Sequence, residues 1–406
     1  MPSLRRLKNY YMKTLTVSAV ITAISLLASQ AGASGFNIGS QDAGAGAMAN
    51  AYTAVADNAS ATWYNPAATV FLEGGDNHYG IGAAFAFAHF RHTNTAGITD
   101  NTADEVPMIP AAYAVRKLND KMALSLGVNA PFGFANKWHD SAATAAIATK
   151  SEVQDINFNL NFAYAFSEKF SAAIGYDYGY MSATLDSTMA QLDATKSEGG
   201  HGFNIALMYK PTTDWSFGAT YRSRISATLY GGRMKVPAMS LDRPLEAELT
   251  VPDMVTIGAA WKMNEKWLLS LQGDYTNWAT YDRLNFVDRE TGNLLSTQYK
   301  GFGPAYALRF GTKYAMNNKW TLRGGMLYDT NPVKASLLET RVPDSNRIGL
   351  SLGVTYNVSE NMTIDLSYTR EQFLERTVTG NKNNVVLDGE YRTYLNMPAI
   401  SLGYKF

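Results

Sequence analysis

The chain has 406 residues, 35 basic and 35 acidic side chains, five histidines and no cysteine, so its formal charge is zero. Four basic residues and no acidic one precede Ser34; the remainder carries net −4, which argues against a nucleic-acid partner. A disulfide framework is excluded, and charged residues at 17% with aromatics at 12% suit a β-barrel better than a soluble enzyme.

Residues 1–33 read as a signal peptide that is removed. Arg5, Arg6, Lys8 and Lys13 form a positive head, Leu15 to Leu27 the apolar stretch, and Ala31-Gly32-Ala33 a small-residue cleavage site. Translation starts at Met1 or at Met12, the latter giving a shorter signal. The apolar run is too short for a retained membrane helix, and no later stretch reaches eighteen uninterrupted apolar residues. A membrane-embedded form of this chain therefore crosses as strands.

Residues 34–76 differ from everything after them. Ser34 to Leu72 is dense in Ala, Gly and Ser, lacks Lys and Arg, and ends in Trp63-Tyr64-Asn65-Pro66-Ala67. So few large side chains cannot build a core, so the segment must pack inside something else. Phe36, Met48, Tyr52, Trp63, Tyr64 and Phe71 are anchors that a flexible linker would lack. Asn65 before Pro66 sets an extended or turn conformation. With Ser34-Gly35-Phe36 at the front and Asn65-Pro66-Ala67 at the back, the segment resembles the plug, or hatch, of the FadL family of outer-membrane transporters for long-chain fatty acids and other hydrophobic compounds.

From residue 77 to 406, alternating runs end in short polar turns. These are Asn119-Asp120-Lys121, Ser167-Glu168-Lys169, Thr212-Thr213-Asp214, Asn264-Glu265-Lys266, Asn317-Asn318-Lys319 and Ser359-Glu360-Asn361. Their spacing of about 42 to 53 residues leaves room for two membrane strands of ~10 residues and a longer loop. Six short turns with both ends on one side require seven long loops opposite, hence a 14-stranded antiparallel transmembrane β-barrel. The fold class is all-β, and the resemblance implies the same strand number. In the ninth strand, Trp267, Leu269, Leu271 and Tyr275 share one face against Ser270, Gln272, Asp274 and Thr276. The last strand carries Ile400, Leu402, Tyr404 and Phe406 on one face, and its closing aromatic looks like the tag read by barrel-assembly machinery. Long loops fall near 93–104, 135–149, 185–196, 230–242, 280–297, 330–344 and 373–392, with a polar composition that suits lipopolysaccharide and water. The Ala-rich run 136–149 predicts a short helix at the mouth.

The third strand begins as clean alternation and then meets Pro131. Proline donates no ladder hydrogen bond, and flanking glycines tolerate a bulge. Proline ending the strand at the outer rim explains Pro131 alone equally well. The resemblance implies more: in the FadL family a kink in the third strand opens the wall sideways, which makes Gly127, Pro131, Phe132 and Gly133 candidates for a lateral opening. It also assigns Phe36, Asn65, Pro66 and Ala67 to ligand binding and gating, since the family's N-terminal tail reaches into the pocket. Val251-Pro252-Asp253 and Val342-Pro343-Asp344, each entering a strand from a loop, extend the resemblance over the mature chain.

A fourteen-strand barrel is too wide for side chains to fill, so its lumen is watery or blocked. A blocked lumen with an apolar pocket favours a hydrophobic ligand; burying sixteen methylenes is worth roughly 13 kcal/mol. For a carboxylate head group, strand phase places Arg222, Arg224, Arg309, Lys313, Arg323 and Arg347 inward, of which Arg222, Arg309, Arg323 and Arg347 are the head-group candidates, with Asp177, Asp274 and Asp365 as competing partners. His89 and His92 stand on opposite strand faces, and no nucleophile–histidine constellation, metal-ligand spacing or phosphate-binding loop emerges, so catalytic residues, metal and cofactors are expected to be none. The expected function is passive, plug-gated, lateral uptake of a long-chain fatty acid or other hydrophobic small molecule across the outer membrane of a Gram-negative bacterium, by a monomer as is the family norm. Aromatic-hydrocarbon uptake, a diffusion porin and a surface adhesin are the rivals.

Overall fold

The computed structural model describes residues 35–103 and 105–406. The expected signal peptide lies outside the described residues. From Asn77 onward the chain winds as a closed antiparallel barrel of fourteen strands, almost without helix. They are β1 (Asn77–Phe85, continued as Phe87–Asn94), β2 (Met108–Asn119), β3 (Met122–Asn129, continued as Gly133–Lys137), β4 (Lys150–Ser167), β5 (Phe170–Leu185), β6 (Gly200–Tyr209) and β7 (Trp215–Arg222). The second half comprises β8 (Met254–Lys262), β9 (Trp267–Thr276), β10 (Ala305–Ala315), β11 (Trp320–Asp329), β12 (Arg347–Asn357), β13 (Met362–Phe373) and β14 (Gly389–Lys405). Each pairs with the next, and β14 closes on β1 through His78↔Lys405 to Ala84↔Ala399. All six polar turns read from the sequence lie at one end.

Period-two alternation decides which face meets lipid. On β9, Ser270 and Gln272 are buried toward the lumen while Trp267 and Leu271 are exposed outward; Ile400, Leu402, Tyr404 and Phe406 are likewise outward. At the short-turn end, Trp215 stacks on Trp261, and Trp267 and Trp320 lie against Tyr314 and Tyr356 across neighbouring strands. This is the aromatic girdle of an interface.

At the opposite end the long connections fold over one another. The 225–251 hairpin pairs with residues 191–197 and 286–288, roofing the barrel with a second small sheet. The run 136–149 differs from expectation: it forms hydrogen-bonded turns around buried Trp138, whose Nε1–H donates to Thr340 O at 2.9 Å, and no helix. A run this short cannot offset helix nucleation, whereas burying the indole and its alanines fixes the turns.

Residues 35–72 fill the lumen as two short helical turns, a 3-10 turn (Pro66–Phe71) and irregular chain. Small residues permit this, on both sides of the contact. A Cβ on Gly325 would stand 2.3 Å from the Met48 carbonyl carbon, one on Gly218 2.3 Å from Thr53 O, and one on Gly353 2.5 Å from the Ala47 Cβ. The plug backbone therefore lies directly on glycines of the wall. Gly325→Val is expected to lift the plug without preventing barrel assembly, and single-channel recordings should show a larger ion conductance than wild type; an unchanged conductance with a heat-modifiable, assembled barrel would contradict this packing.

Candidate functional site

Two features sit together at the roofed end of the plug: a break in the wall at β3 and a closed apolar chamber beside it. The break starts after Asn129↔Asn157 and ends at Gly133↔Gln154, so three residues of β3 oppose two of β4. This is a β-bulge. Pro131 supplies no N–H, and Gly133 has φ 154°, which disfavours any side chain there. Beyond the break the ladder to β2 is lost as well: it stops at Ala112↔Val128, and Gly133–Lys137 pair only with β4. The gap is closed above by Ala103 N–H donating to Lys137 O at 2.8 Å. Ile38, Ile109 and Ala130 line it inside.

Phe132 O still accepts from Asp155 N–H of β4 (3.2 Å), and the plug satisfies other stranded backbone groups. Ile38 N–H donates to Pro131 O (2.7 Å) and Gly133 N–H to Phe36 O (2.7 Å), making a bridge of Asn37 with Phe132. Gln41 completes it: its Nε2 donates to Ala130 O (2.9 Å) while its Oε1 accepts from Ala130 N–H (3.1 Å). Gln41 escaped the sequence reading because one glutamine in a small-residue run carries no pattern. Of the expected kink residues, Pro131, Phe132 and Gly133 lie in the break. Gly127 lies in the regular ladder below it, where a Cβ would meet Asn159 Oδ1 at 2.4 Å.

The chamber is built around Phe36, which is fully buried. Its ring packs on Trp278 (4.4 Å), Tyr281 (5.2 Å), Phe134 (5.6 Å) and Phe132 (6.4 Å). Gly35 N–H donates to Asp344 Oδ2 at 2.8 Å, fixing the tail; burial pushes that carboxyl up to about 6. The apolar cluster continues into the roof through Leu185, Leu192, Leu229, Leu245 and Phe286. Two cations stand at its edge. Lys300 pairs with Glu339 at 2.8 Å, and burial holds its ammonium below the ordinary value. Arg341 donates to Ser151 Oγ (3.1 Å), Asp186 O (3.2 Å) and Ile147 O, all neutral acceptors. The cavities here hold only about 10 and 20 Å³, room for about a single water.

Of the cations read as inward, the four candidates Arg222, Arg309, Arg323 and Arg347 are buried in the lumen wall and Lys313 reaches Asp57 of the plug (2.5 Å), whereas Arg224, past the end of β7 where strand phase lapses, is exposed beside Asp253 (3.5 Å). Arg222 pairs with Asp177 (2.8 Å) and donates to Trp63 O (2.7 Å); Arg309 pairs with Asp274 (2.5 Å) and donates to Ala49 O (3.1 Å). Arg323 donates to Gly44 O (3.3 Å) and lies 3.9 Å from Asp365. Arg347 pairs with Asp329 (2.5 Å) and Glu371 (3.2 Å). The first three thus moor the plug, each neutralised by a wall carboxylate, and Arg222 and Arg309 also line a polar cavity of about 80 Å³ against it. Lys300 and Arg341 were missed because they lie in loops, where no strand phase marks them.

Asn65 is fully buried at the plug's centre. Its Oδ1 accepts from Ala67 N–H (3.1 Å), capping the turn that Pro66 begins, and its Nδ2 donates to Thr53 O (2.9 Å) and Leu207 O (3.0 Å). Truncation leaves buried acceptors unpaired at a cost of about 1–3 kcal/mol. Asn65→Ala should therefore raise the maleimide labelling rate of a cysteine at buried Ala54 roughly tenfold; equal labelling would contradict the role given to this side chain.

A family model described as outer membrane protein transport protein (OMPP1/FadL/TodX) matches residues 24–406. The long-chain fatty acid transport protein of Escherichia coli O6:H1 is 26% identical, covering 90% of this chain and 93% of that protein. Outer membrane protein P1 of Haemophilus influenzae is 23% identical over 97% of this chain and 100% of its own. The fold is shared with a Pseudomonas aeruginosa FadL homologue (TM-score 0.81, 18% identity, 92% and 100% coverage) and the Ralstonia pickettii toluene transporter TbuX (TM-score 0.71, 16% identity, 89% and 97% coverage).

Proposed function

This chain belongs to the OMPP1/FadL/TodX family of outer-membrane transport proteins, and on that premise we propose that it carries long-chain fatty acids inward and releases them sideways through the break in β3. The observation that carries this reading is the four-residue tail Gly35–Ile38, which touches both features: Phe36 fills the chamber while Phe36 O and Ile38 N–H hold the edge of the break.

A pocket for a ligand of this size needs roughly 300–1,000 Å³, and the chamber has no such space while Phe36 occupies it. An acyl chain therefore enters by displacing the Phe36 ring. Displacement pulls on the two backbone bonds at Pro131 and Gly133, and the break loses its inner cover. Ile38, Ile109 and Ala130 give the departing chain an apolar lining. Arg341 and Lys300, rather than the four buried arginines of the lumen wall, are the head-group partners in this reading. Arg341 has no carboxylate within ion-pair distance among the described residues, and Lys300 has one to exchange. Movement is local, because the moorings at Gly44, Ala49, Trp63 and Asn65 stay in place.

The aromatic walls of the chamber support a second reading, in which monoaromatic hydrocarbons are the main cargo, as the name of the toluene transporter with the same fold suggests. The two cargoes separate on the cations. Arg341→Met with Lys300→Met is expected to weaken oleate binding by about tenfold or more, the worth of a charge-assisted bond, while toluene uptake is unchanged. Equal loss of both, or of neither, would remove the head-group assignment. Deleting Pro131 equalises the residue count with β4 and should close the break: uptake of labelled oleate by cells is expected to fall to the level of cells lacking the protein, with normal amounts of assembled barrel. Undiminished uptake would exclude the lateral route.

A further inference from the structure

The outer face of β1, β14 and β13 changes character at a single level. On β14 the outward positions Phe406, Tyr404, Leu402, Ile400 and Pro398 are followed by Asn396, Tyr394 and Arg392. On β13 Ile364, Leu366 and Tyr368 give way to Arg370 and Gln372, and on β1 Phe85 and Phe87 give way to His89 and Arg91. Register puts these changes side by side: Arg370 and Phe87 both face Asn396, His89 faces Tyr394, and Arg91 faces Arg392. Five apolar outward positions on β14 account for the ~25 Å apolar band of an outer-membrane barrel. The polar cluster thus begins where the outer leaflet's acyl chains end.

Two of its three arginines, Arg91 and Arg370, have no carboxylate partner among the described residues. The Arg370 guanidinium lies 4.0 Å over the Tyr394 ring and donates to Asn396 Oδ1 (2.9 Å) and Gln372 Oε1 (3.1 Å), all neutral partners. The same Asn396 oxygen accepts from Tyr368 O–H (2.7 Å), and His89 stacks on Tyr394 at 5.1 Å, so the platform is fixed in place. Arg392 takes both nearby carboxylates, Glu375 (3.0 Å) and Glu390 (2.6 Å). Arg91, directly across the ladder from it, has no ion pair among the described residues. Like charges set opposite each other in a ladder repel unless an anion joins them. Guanidinium forks held over an aromatic ring suit phosphate oxygens.

We propose that this face binds the phosphorylated glucosamine head of one lipid A molecule of the outer leaflet. Arg91 and Arg370 contact its phosphate, and its acyl chains lie down the column of Phe87, Phe85, Ile81, Leu402 and Ile400. The site is outside the barrel and independent of the cargo path. Its position beside β1 places the lipid next to the wall that adjoins the β3 break.

Native mass spectrometry of the full-length protein in detergent, titrated with hexa-acyl lipid A, tests this. Wild type is expected to retain one lipid A, Arg91→Gln with Arg370→Gln to bind it at least about tenfold more weakly, and Arg283→Gln, at another exposed arginine, to bind as wild type does. Lipid A stripped of phosphate should bind wild type as weakly as the double variant binds the intact lipid, and inorganic phosphate alone should leave no adduct. Equal retention of dephosphorylated lipid, undiminished binding by the double variant, or a stable adduct with inorganic phosphate alone would each overturn the proposal. Should the double variant fail to assemble, the dephosphorylated lipid on wild type decides the question.

Discussion

A strand that leaves its ladder inside a membrane wall exposes N–H and C=O groups where no water can satisfy them, at a cost of several kcal/mol each. Everything at the candidate site follows from how that constraint is met at Ala130–Gly133. Most of the partners come from the plug: Ile38 N–H, Phe36 O and both ends of the Gln41 amide. One direct bond to β4, Asp155 N–H to Phe132 O (3.2 Å), remains inside the break, and the tail supplies the other backbone partners. The same short tail thus bonds to the edge of the break and places its aromatic ring in the neighbouring chamber, and the proposed coupling of chamber to wall rests on that.

The rest of the plug is arranged to resist movement. Its backbone lies on wall glycines at separations no side chain would tolerate, and Arg222, Arg309 and Arg323 each reach from a wall carboxylate to a plug carbonyl. Buried pairs of this kind are costly to break one partner at a time. Asn65 adds a further set of bonds at the centre. These contacts hold the plug from Gly44 to Asn65, and the proposed movement is therefore assigned to the residues before Gln41.

The fold was readily legible in the sequence, for a physical reason. Short polar turns recur at a nearly even spacing, most of them flanked by outward aromatics, because the membrane imposes one thickness on all fourteen strands. Strand phase likewise put Arg222, Arg309, Arg323 and Arg347 in the lumen. What phase cannot tell is which inward cation is already spoken for, since that depends on cross-strand register and on where the plug carbonyls lie. Lys300 and Arg341 were invisible because loops have no period. Gln41 was invisible because its role depends on a gap in another strand. Gly127 resembled a kink residue by its nearness to Pro131, but its conformation is regular and its small size serves Asn159. The helix expected over 136–149 gave way to turns that bury Trp138, tertiary packing overriding local preference.

The proposed coupling between chamber and wall is read most directly from amide hydrogen exchange at Ile38 and Gly133, whose N–H groups make the two bonds between the tail and the edge of the break. Addition of oleate to the purified protein should speed exchange at both amides while those of Asn50 to Asn65 stay protected. Unchanged or slower exchange at Ile38 and Gly133 in protein shown to hold the fatty acid would contradict the account.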